Sequence, residues 1–372
     1  MAGIYIHIPF CKQACHYCDF HFSTSLHKSD AMLGAICKEL ILRKKELTRP
    51  IETIYFGGGT PSLLSPLQID LVLQTVYDNF TVVDSPEITL EANPDDLTDA
   101  KISALASSKI NRLSIGIQSF FEEDLKLMNR AHNQAEALDC ITNAKQYFKN
   151  ISIDLMYGIP QMSPQRWQEN VEKALSLKVP HISCYVLTVE PKTALERFIK
   201  KGIIRPVDDA VAAKHHAVLV EKTAAVGYHN YEFSNFCIPG WESQSNSSYW
   251  MRKPYLGVGP SAHSYDVVSR SWNVSNNSRY IKSIEKGVAP LTTEILSTEN
   301  QYNEYIMTRL RTAGGISIDE IGSFFGLKFQ EYLKQNIQQH IALGLLICEG
   351  DVIKATKKGK FLTDGIAADL FM

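Results

Sequence analysis

The sequence predicts an α/β fold: a partial (β/α)6 barrel followed by a smaller, mostly helical, winged-helix-like C-terminal domain. From Gly3 to about Leu187, short β-branched runs alternate with longer amphipathic stretches, the pattern of parallel strands joined by helical crossovers. The polar and glycine motifs sit where those runs end, as they do in barrels whose chemistry gathers at the C-terminal strand ends. Beyond Leu187 the rhythm changes to helical stretches, an aromatic and glycine-rich segment, and helices again. A chain of 372 residues is long enough for one barrel-sized domain with additions.

Six strands are expected: Gly3 to Ile8, Thr53 to Phe56, Glu87 to Glu91, Arg112 to Gln118, Ile151 to Met156 and His181 to Leu187. After the first, Ser29 is placed to cap a helix with Met32, Ile36 and Leu40 on one face, and Arg43, Lys44 and Lys45 read as its solvated, dipole-matched last turn. Ser65-Pro66 opens the next helix, with proline at the first helical position. Helices are expected near Thr193 to Lys201 and Val207 to Val226, then an irregular segment from Tyr228 to Asn273. From Thr298 a helix runs until Gly314-Gly315 breaks it, followed by helices over Ile318 to Phe325 and Phe329 to Leu345 and a short polar β-like tail. The expected domains are 1–230, the partial barrel; 231–290, a connecting aromatic and glycine-rich segment; and 291–372, the C-terminal domain.

With 45% apolar and 21% charged residues the chain reads as globular, and a net charge of -2 supplies no field for nucleic acid. Cys37, Cys140, Cys184, Cys237 and Cys348 stand singly in apolar segments and are expected as buried small hydrophobes. No leader-like stretch precedes Cys11 and no run of about 18 apolar residues occurs. A reducing cytoplasm is the expected location.

Three cysteines, Cys11, Cys15 and Cys18, form a C-x3-C-x2-C array directly behind the first strand. Three thiolates so spaced can hold three irons of a cubane and leave the fourth open to another ligand. Cys15 and Cys18 with Cys11 and His21 also offer three thiolates and an imidazole, which zinc accepts. Context favours the cluster, because a zinc knuckle needs neither a preceding strand nor the glycine and acid positions further along.

The run Tyr5-Ile-His-Ile-Pro-Phe-Cys11, the array ending Cys18-Asp-Phe, Gly57-Gly-Gly-Thr-Pro-Ser62, Glu91-Ala-Asn-Pro94, Gly116-Ile-Gln-Ser-Phe120, Asn129-Arg130 and Asp154-Leu-Met-Tyr-Gly-Ile-Pro160 together resemble one family. It is the radical S-adenosylmethionine (SAM) proteins of the oxygen-independent coproporphyrinogen III oxidase group, with the HemW-type haem chaperones within it. The resemblance spans nearly the whole chain. It implies a [4Fe-4S] cluster on Cys11, Cys15 and Cys18, whose fourth iron is chelated by SAM, and electron transfer into the sulfonium to give methionine and a 5'-deoxyadenosyl radical. It further implies a SAM site of Tyr5, Tyr17, Gly58, Gly59, Thr60, Glu91, Gln118, Arg130 and Asp154. Glycines 57 to 59 allow the backbone to approach the methionine moiety. Glu91, Gln118 and Asp154 suit the ammonium and ribose hydroxyls, and Arg130 the carboxylate.

Oxidases of this group carry a segment before the cluster and a fourth cysteine two residues after the third. Here Cys11 lies early, Phe20 stands at the fourth position, and Cys18-Asp-Phe-His-Phe22 resembles the chaperone continuation. Chaperone-type chains carry a His-Asn-x-x-Tyr-Trp motif associated with haem; this chain keeps Asn246, Tyr249 and Trp250 but has Ser245 in the histidine position. A hydroxyl is a poor iron ligand beside imidazole, so His263 becomes an alternative ligand, with His7, His21 and His229 more remote. The resemblance therefore implies a protein that binds haem, a [4Fe-4S] cluster and SAM, hands haem to apo-haemoprotein clients, and lacks coproporphyrinogen III oxidase activity. It is compatible with a homodimer and with peripheral membrane association, and no nucleic acid partner is expected. The competing readings are the oxidase itself and a zinc-bound nucleic-acid adaptor using the C-terminal domain.

Overall fold

In the first strand Ile4, Ile6 and Ile8 alternate with Gly3, Tyr5 and His7, which sorts the side chains onto two faces. In the computed structural model, which describes residues 1–372, the three isoleucines are at most 1% exposed and join a core of 61 buried residues with Met32, Ile36 and Leu40 of the helix Ser29–Arg43. Burying each such side chain stabilises the fold by roughly 1.5–3 kcal/mol. The same sorting repeats along β1 (Ala2–Ile8), β2 (Ile51–Gly58), β3 (Val82–Ala92), β4 (Arg112–Gln118), β5 (Asn150–Tyr157) and β6 (His181–Val186), which pair in sequence order, all parallel. Helices between them cover the outer face, as a parallel sheet requires.

The sheet extends past these six strands. On the β6 side an antiparallel hairpin of β7 (His229–Glu232) and β8 (Asn235–Cys237) is added. On the other side β9 (Tyr255–Val258) runs parallel to β1, followed by antiparallel β10 (His263–Tyr265), β11 (Ser269–Asn273) and β12 (Leu291–Ile295). The result is an open twelve-stranded sheet whose edges, β12 and β7, do not pair. The helix Gln244–Trp250 packs on β1 and β2. No helix is long and apolar enough to cross a membrane.

A second core of 15 buried residues, including Tyr302, Ile306, Leu333 and Ile337, joins the helices Thr298–Leu310, Ile318–Phe325 and Leu327–Ala342. They pack with a small sheet of β13 (Ile316–Ser317), β14 (Leu346–Glu349) and β15 (Val352–Ala355), so three helices and a hairpin form the expected C-terminal arrangement.

Several local expectations are corrected. The segment 228–273 is strand and helix rather than irregular; its strands are three to five residues long, too short to show a period, and tertiary pairing with β1 and β6 forms them. Ser29 begins its helix without capping it, since the N-cap is Lys28 and makes no side-chain bond. Ser65 does cap, reciprocally with Gln68. Arg43 is 2% exposed rather than solvated, because Glu39 and the backbone of β9 receive its guanidinium. The helix from Thr298 stops at Leu310, ahead of the glycine pair, and the tail continues past the β14–β15 hairpin into a helix, Thr363–Asp369. Cys140, Cys184 and Cys237 are buried as expected, whereas Cys37 is half-buried and Cys348 exposed on the hairpin.

Candidate functional site

The cysteine loop is held from both sides by backbone groups. Cys11 N–H donates to Ser23 O and Ser23 N–H to Pro9 O, which closes the loop's ends. Gly59 and Thr60 N–H donate to Ile8 O and Phe10 O, fastening the β2 end beneath it. The opposite side rests on the turn after the helix Glu122–Met128, where Asn129 takes a left-handed conformation (φ 57°). Asn129 donates its amide to Ala14 O and accepts on its own carbonyl from the Gln13 side chain, and His16 N–H donates to Met128 O. Lys12 adds an ion pair to Asp95 at 3.0 Å and one to Asp96.

This scaffold turns Cys11, Cys15 and Cys18 toward an open cavity of about 540 Å³ at the C-terminal ends of β1 to β6. Of the expected residues, Tyr17, Gly58, Gly59, Thr60, Glu91, Gln118, Arg130, Asp154 and Asn246 share its wall with the three cysteines. Tyr5 lies just behind that wall, its ring stacked on Tyr55 and its hydroxyl 3.3 Å from His7 Nδ1. The glycines there are required by space. A Cβ on Gly59 would come within 2.8 Å of backbone atoms of Ile8 and Phe10, and Gly58 has φ 102° with His7 directly beneath it. Gly116 likewise lets Gln118 and Arg130 close over β4, where a Cβ would meet the Gln118 amide at 2.9 Å.

Arg130 is fixed by donating to Asn93 Oδ1 at 2.7 Å and Gly116 O at 2.8 Å, and its Nη1 lies 3.4 Å from Cys15 Sγ. Its buried Nε has no partner. Glu91 accepts from the Tyr55 hydroxyl at 2.8 Å and from Gly58 N–H at 3.3 Å, yet burial still pushes its carboxyl up to about 7. Burial raises Asp154 to about 6, opposed by the charge of Arg112 and by the Ser114 hydroxyl at 3.3 Å. Burial also raises Cys11, and Cys18 to about 12, so these thiols hold their protons until a metal displaces them.

The residues of the haem motif share the helix Gln244–Trp250, but only Asn246 reaches the cavity. Ser245 is 3% exposed, its N–H bonded to Glu87 and its Oγ without a partner. Tyr249 packs edge-on against Tyr255, and Trp250 lies under the Arg311 guanidinium, away from the cavity. His263, on β10, stacks on Trp272. His7 Nε2 donates to His21 O, and His21 Nε2 donates to Asn277 Oδ1 at 2.7 Å. His229 is half-exposed beside Glu242. No three His, Cys, Asp or Glu side chains converge on a point that a single ion would fill.

Sequence reasoning missed Arg112, Tyr55, Asn93 and the rim of Phe22, Met156, Tyr185 and Leu187, all of which line the cavity. For Arg112 and Tyr55 the signal was present, since residues an even number apart on one strand share a face, and Tyr55 and Arg112 stand two and four positions before the motif glycines Gly57 and Gly116. The rim comes from different strand ends and loops, which only the fold brings together.

The cavity and its loop agree with comparisons to known proteins. The family description "Radical SAM superfamily" matches residues 5–174, and "HemN C-terminal domain" matches residues 296–362. Among curated proteins, "Heme chaperone HemW" of Bacillus subtilis (strain 168) is 34% identical over 367 residues, covering 97% of each chain. The protein of that name from Lactococcus lactis is also 34% identical, covering 97% of each, and that of Mycobacterium tuberculosis is 32% identical over 99% of this chain and 94% of its own. The solved structure of coproporphyrinogen III oxidase (HemN) from Escherichia coli superposes with a TM-score of 0.85 at 22% identity, covering all of this chain and 90% of that one, which establishes the shared fold. Radical SAM membership implies a [4Fe-4S] cluster and SAM as cofactors. With relatives above 30% identity across nearly its full length, this chain belongs to the HemW family of radical SAM proteins.

Proposed function

We propose that this chain is a haem chaperone that binds haem, a [4Fe-4S] cluster and SAM, and passes haem to apo-haemoproteins. The observation that carries the reading is the cysteine trio, which faces one cavity walled by paired acids and a fixed guanidinium in a chain whose relatives bear the chaperone name across 97% of its length. Phe20, at the position of the oxidase group's fourth cysteine, is 67% exposed at the rim and supports the chaperone branch.

The donor set fits the cofactors. Cys11, Cys15 and Cys18 would hold the cluster, which when bound supplies low-potential electrons beside the sulfonium. Gly58, Gly59 and Thr60 would bring backbone alongside the methionine moiety, and the Gly59 cradle, which a Cβ would close, supports that assignment. Glu91, Gln118 and Asp154 would take the ammonium and ribose, Arg130 would take the carboxylate, and Tyr5 and Tyr17 would back the site. Asn246 belongs to the cavity wall, which supports a haem position beside the cofactor site. Tyr249, Trp250 and the exposed His263 would contact haem outside the cavity wall. The division into 1–230, 231–290 and 291–372 is proposed with this function, as barrel, haem-facing connection and C-terminal domain, with the cytoplasm as the compartment.

The test is anaerobic cluster reconstitution followed by haem titration, with coproporphyrinogen III turnover run in parallel. A one-to-one complex with a shifted Soret band and no protoporphyrinogen is expected. Porphyrinogen turnover would assign the oxidase reaction instead, and zinc without acid-labile sulfide would remove both.

A further inference from the structure

A guanidinium buried without acceptors is a defect in a folded protein unless something else fills its hydrogen-bonding fork. Arg112, at the start of β4, is such a group. It is 2% exposed, its Nε has no hydrogen-bond partner, and it lines the floor of the cavity. The one carboxylate within ion-pair reach, Glu87, stands 3.9 Å from Nε, beyond hydrogen-bond distance. Glu87 is already committed elsewhere, accepting from Gln244 and Ser245 N–H at 3.1 and 3.0 Å.

The other acids of the floor are also taken. Glu91 is held by Tyr55 and Gly58, and Asp154 by Ser114. Burial moves both carboxyls toward their neutral forms, so they compensate the guanidinium incompletely. The contrast with Arg130 is direct, because that side chain donates to Asn93 and Gly116 across the same cavity. A planar fork with an unsatisfied face matches a carboxylate better than any neutral group, through parallel charge-assisted hydrogen bonds.

We infer that Arg112 is a carboxylate-binding subsite at the base of the cavity, taking the acid end of a ligand that enters from the cysteine loop. This rests on the reading of the cavity as the cofactor and haem chamber. The ligand of that chamber with an unassigned carboxylate is haem, through a propionate, because the SAM carboxylate is assigned to Arg130.

The experiment measures binding of four probes to the full-length, cluster-reconstituted protein: SAM, decarboxylated SAM, haem and haem dimethyl ester. Arg112→Met is expected to weaken haem binding by roughly ten- to hundredfold and to leave SAM binding unchanged. The loss disappears with the esterified haem, and Arg112→Lys recovers part of it. An acid-dependent loss of SAM instead of haem would overturn the propionate assignment. Should Arg112→Met fail to fold, Glu87→Gln/Arg112→Met removes both charges together and is measured in its place. Wild-type binding of SAM and haem with no acid-dependent loss in the variant overturns this inference alone, whereas a wild type that binds neither overturns the proposed function and the subsite with it.

Discussion

Removing the Glu39 carboxylate tests how the added strands are fastened to the six parallel ones. Glu39 is 0% exposed and accepts four hydrogen bonds: from Arg43 Nη1 at 2.9 Å, Gly259 N–H at 2.8 Å, Asn273 Nδ2 at 2.8 Å and the Tyr280 hydroxyl at 2.5 Å. Arg43 also donates to Gly257 O and Ser264, so the cluster ties the helix Ser29–Arg43 to β9, β10, β11 and the helix Asn277–Glu285. Glu39→Ala strands these buried donors, and breaking a buried pair from one side costs about 3–5 kcal/mol. Arg43 keeps Glu46, at 2.8 Å and half-exposed, which places the expected loss near the lower bound, about 3 kcal/mol. In urea unfolding followed by tryptophan fluorescence, with a slope of about 3 kcal/mol per molar, the midpoint falls by about 1 M. Glu39→Gln keeps one acceptor oxygen and falls between the wild type and Glu39→Ala. Glu46→Ala, on the exposed partner, costs under about 1 kcal/mol. A Glu39→Ala midpoint within about 0.3 M of the wild type refutes the claim that this carboxylate anchors the added strands.

Two further outcomes are expected. Glu91 titrates near 7 in the folded apo-protein against an ordinary value near 4.5, chiefly because it is buried. The folded state therefore binds more protons than the unfolded state between those limits, and stability declines as pH rises from about 4.5 through 7. Glu91→Gln should flatten that decline in apo-protein thermal midpoints taken from pH 5 to 8; parallel curves would show that Glu91 does not titrate there. Ser245→His restores the motif residue at a site 3% exposed, so overpacking should cost about 1–3 kcal/mol without raising haem affinity. Tighter haem binding in that variant would show that the helix Gln244–Trp250 opens to admit the ligand.

The six parallel strands and the strand-end motifs were legible because they depend on local pattern. Side-chain alternation sorts Ile4, Ile6 and Ile8 from Tyr5 and His7, Ser65 caps through its own Gln68, and the cysteine spacing is fixed within one loop. Arg43 shows where such reading stops. Three basic residues in a row predict a solvated helix end, yet the acceptors that bury Arg43 include Gly257 and Ser264, more than 200 positions away. The short strands β7 to β11 form because β1 and β6 offer open edges, a condition absent from their own composition.

The sequence by itself determined the chemistry available, three thiols, a glycine turn and a set of strand-end acids, because each is fixed by residue type and short-range spacing. Only the tertiary structure decided which groups share the cavity. It brought Arg112 beneath Glu91 and Asp154 and admitted Asn246, while turning Tyr249, Trp250 and His263 elsewhere. The reason is geometric: parallel strands far apart in the chain converge at one end, so burial and charge there depend on neighbours that no local window contains.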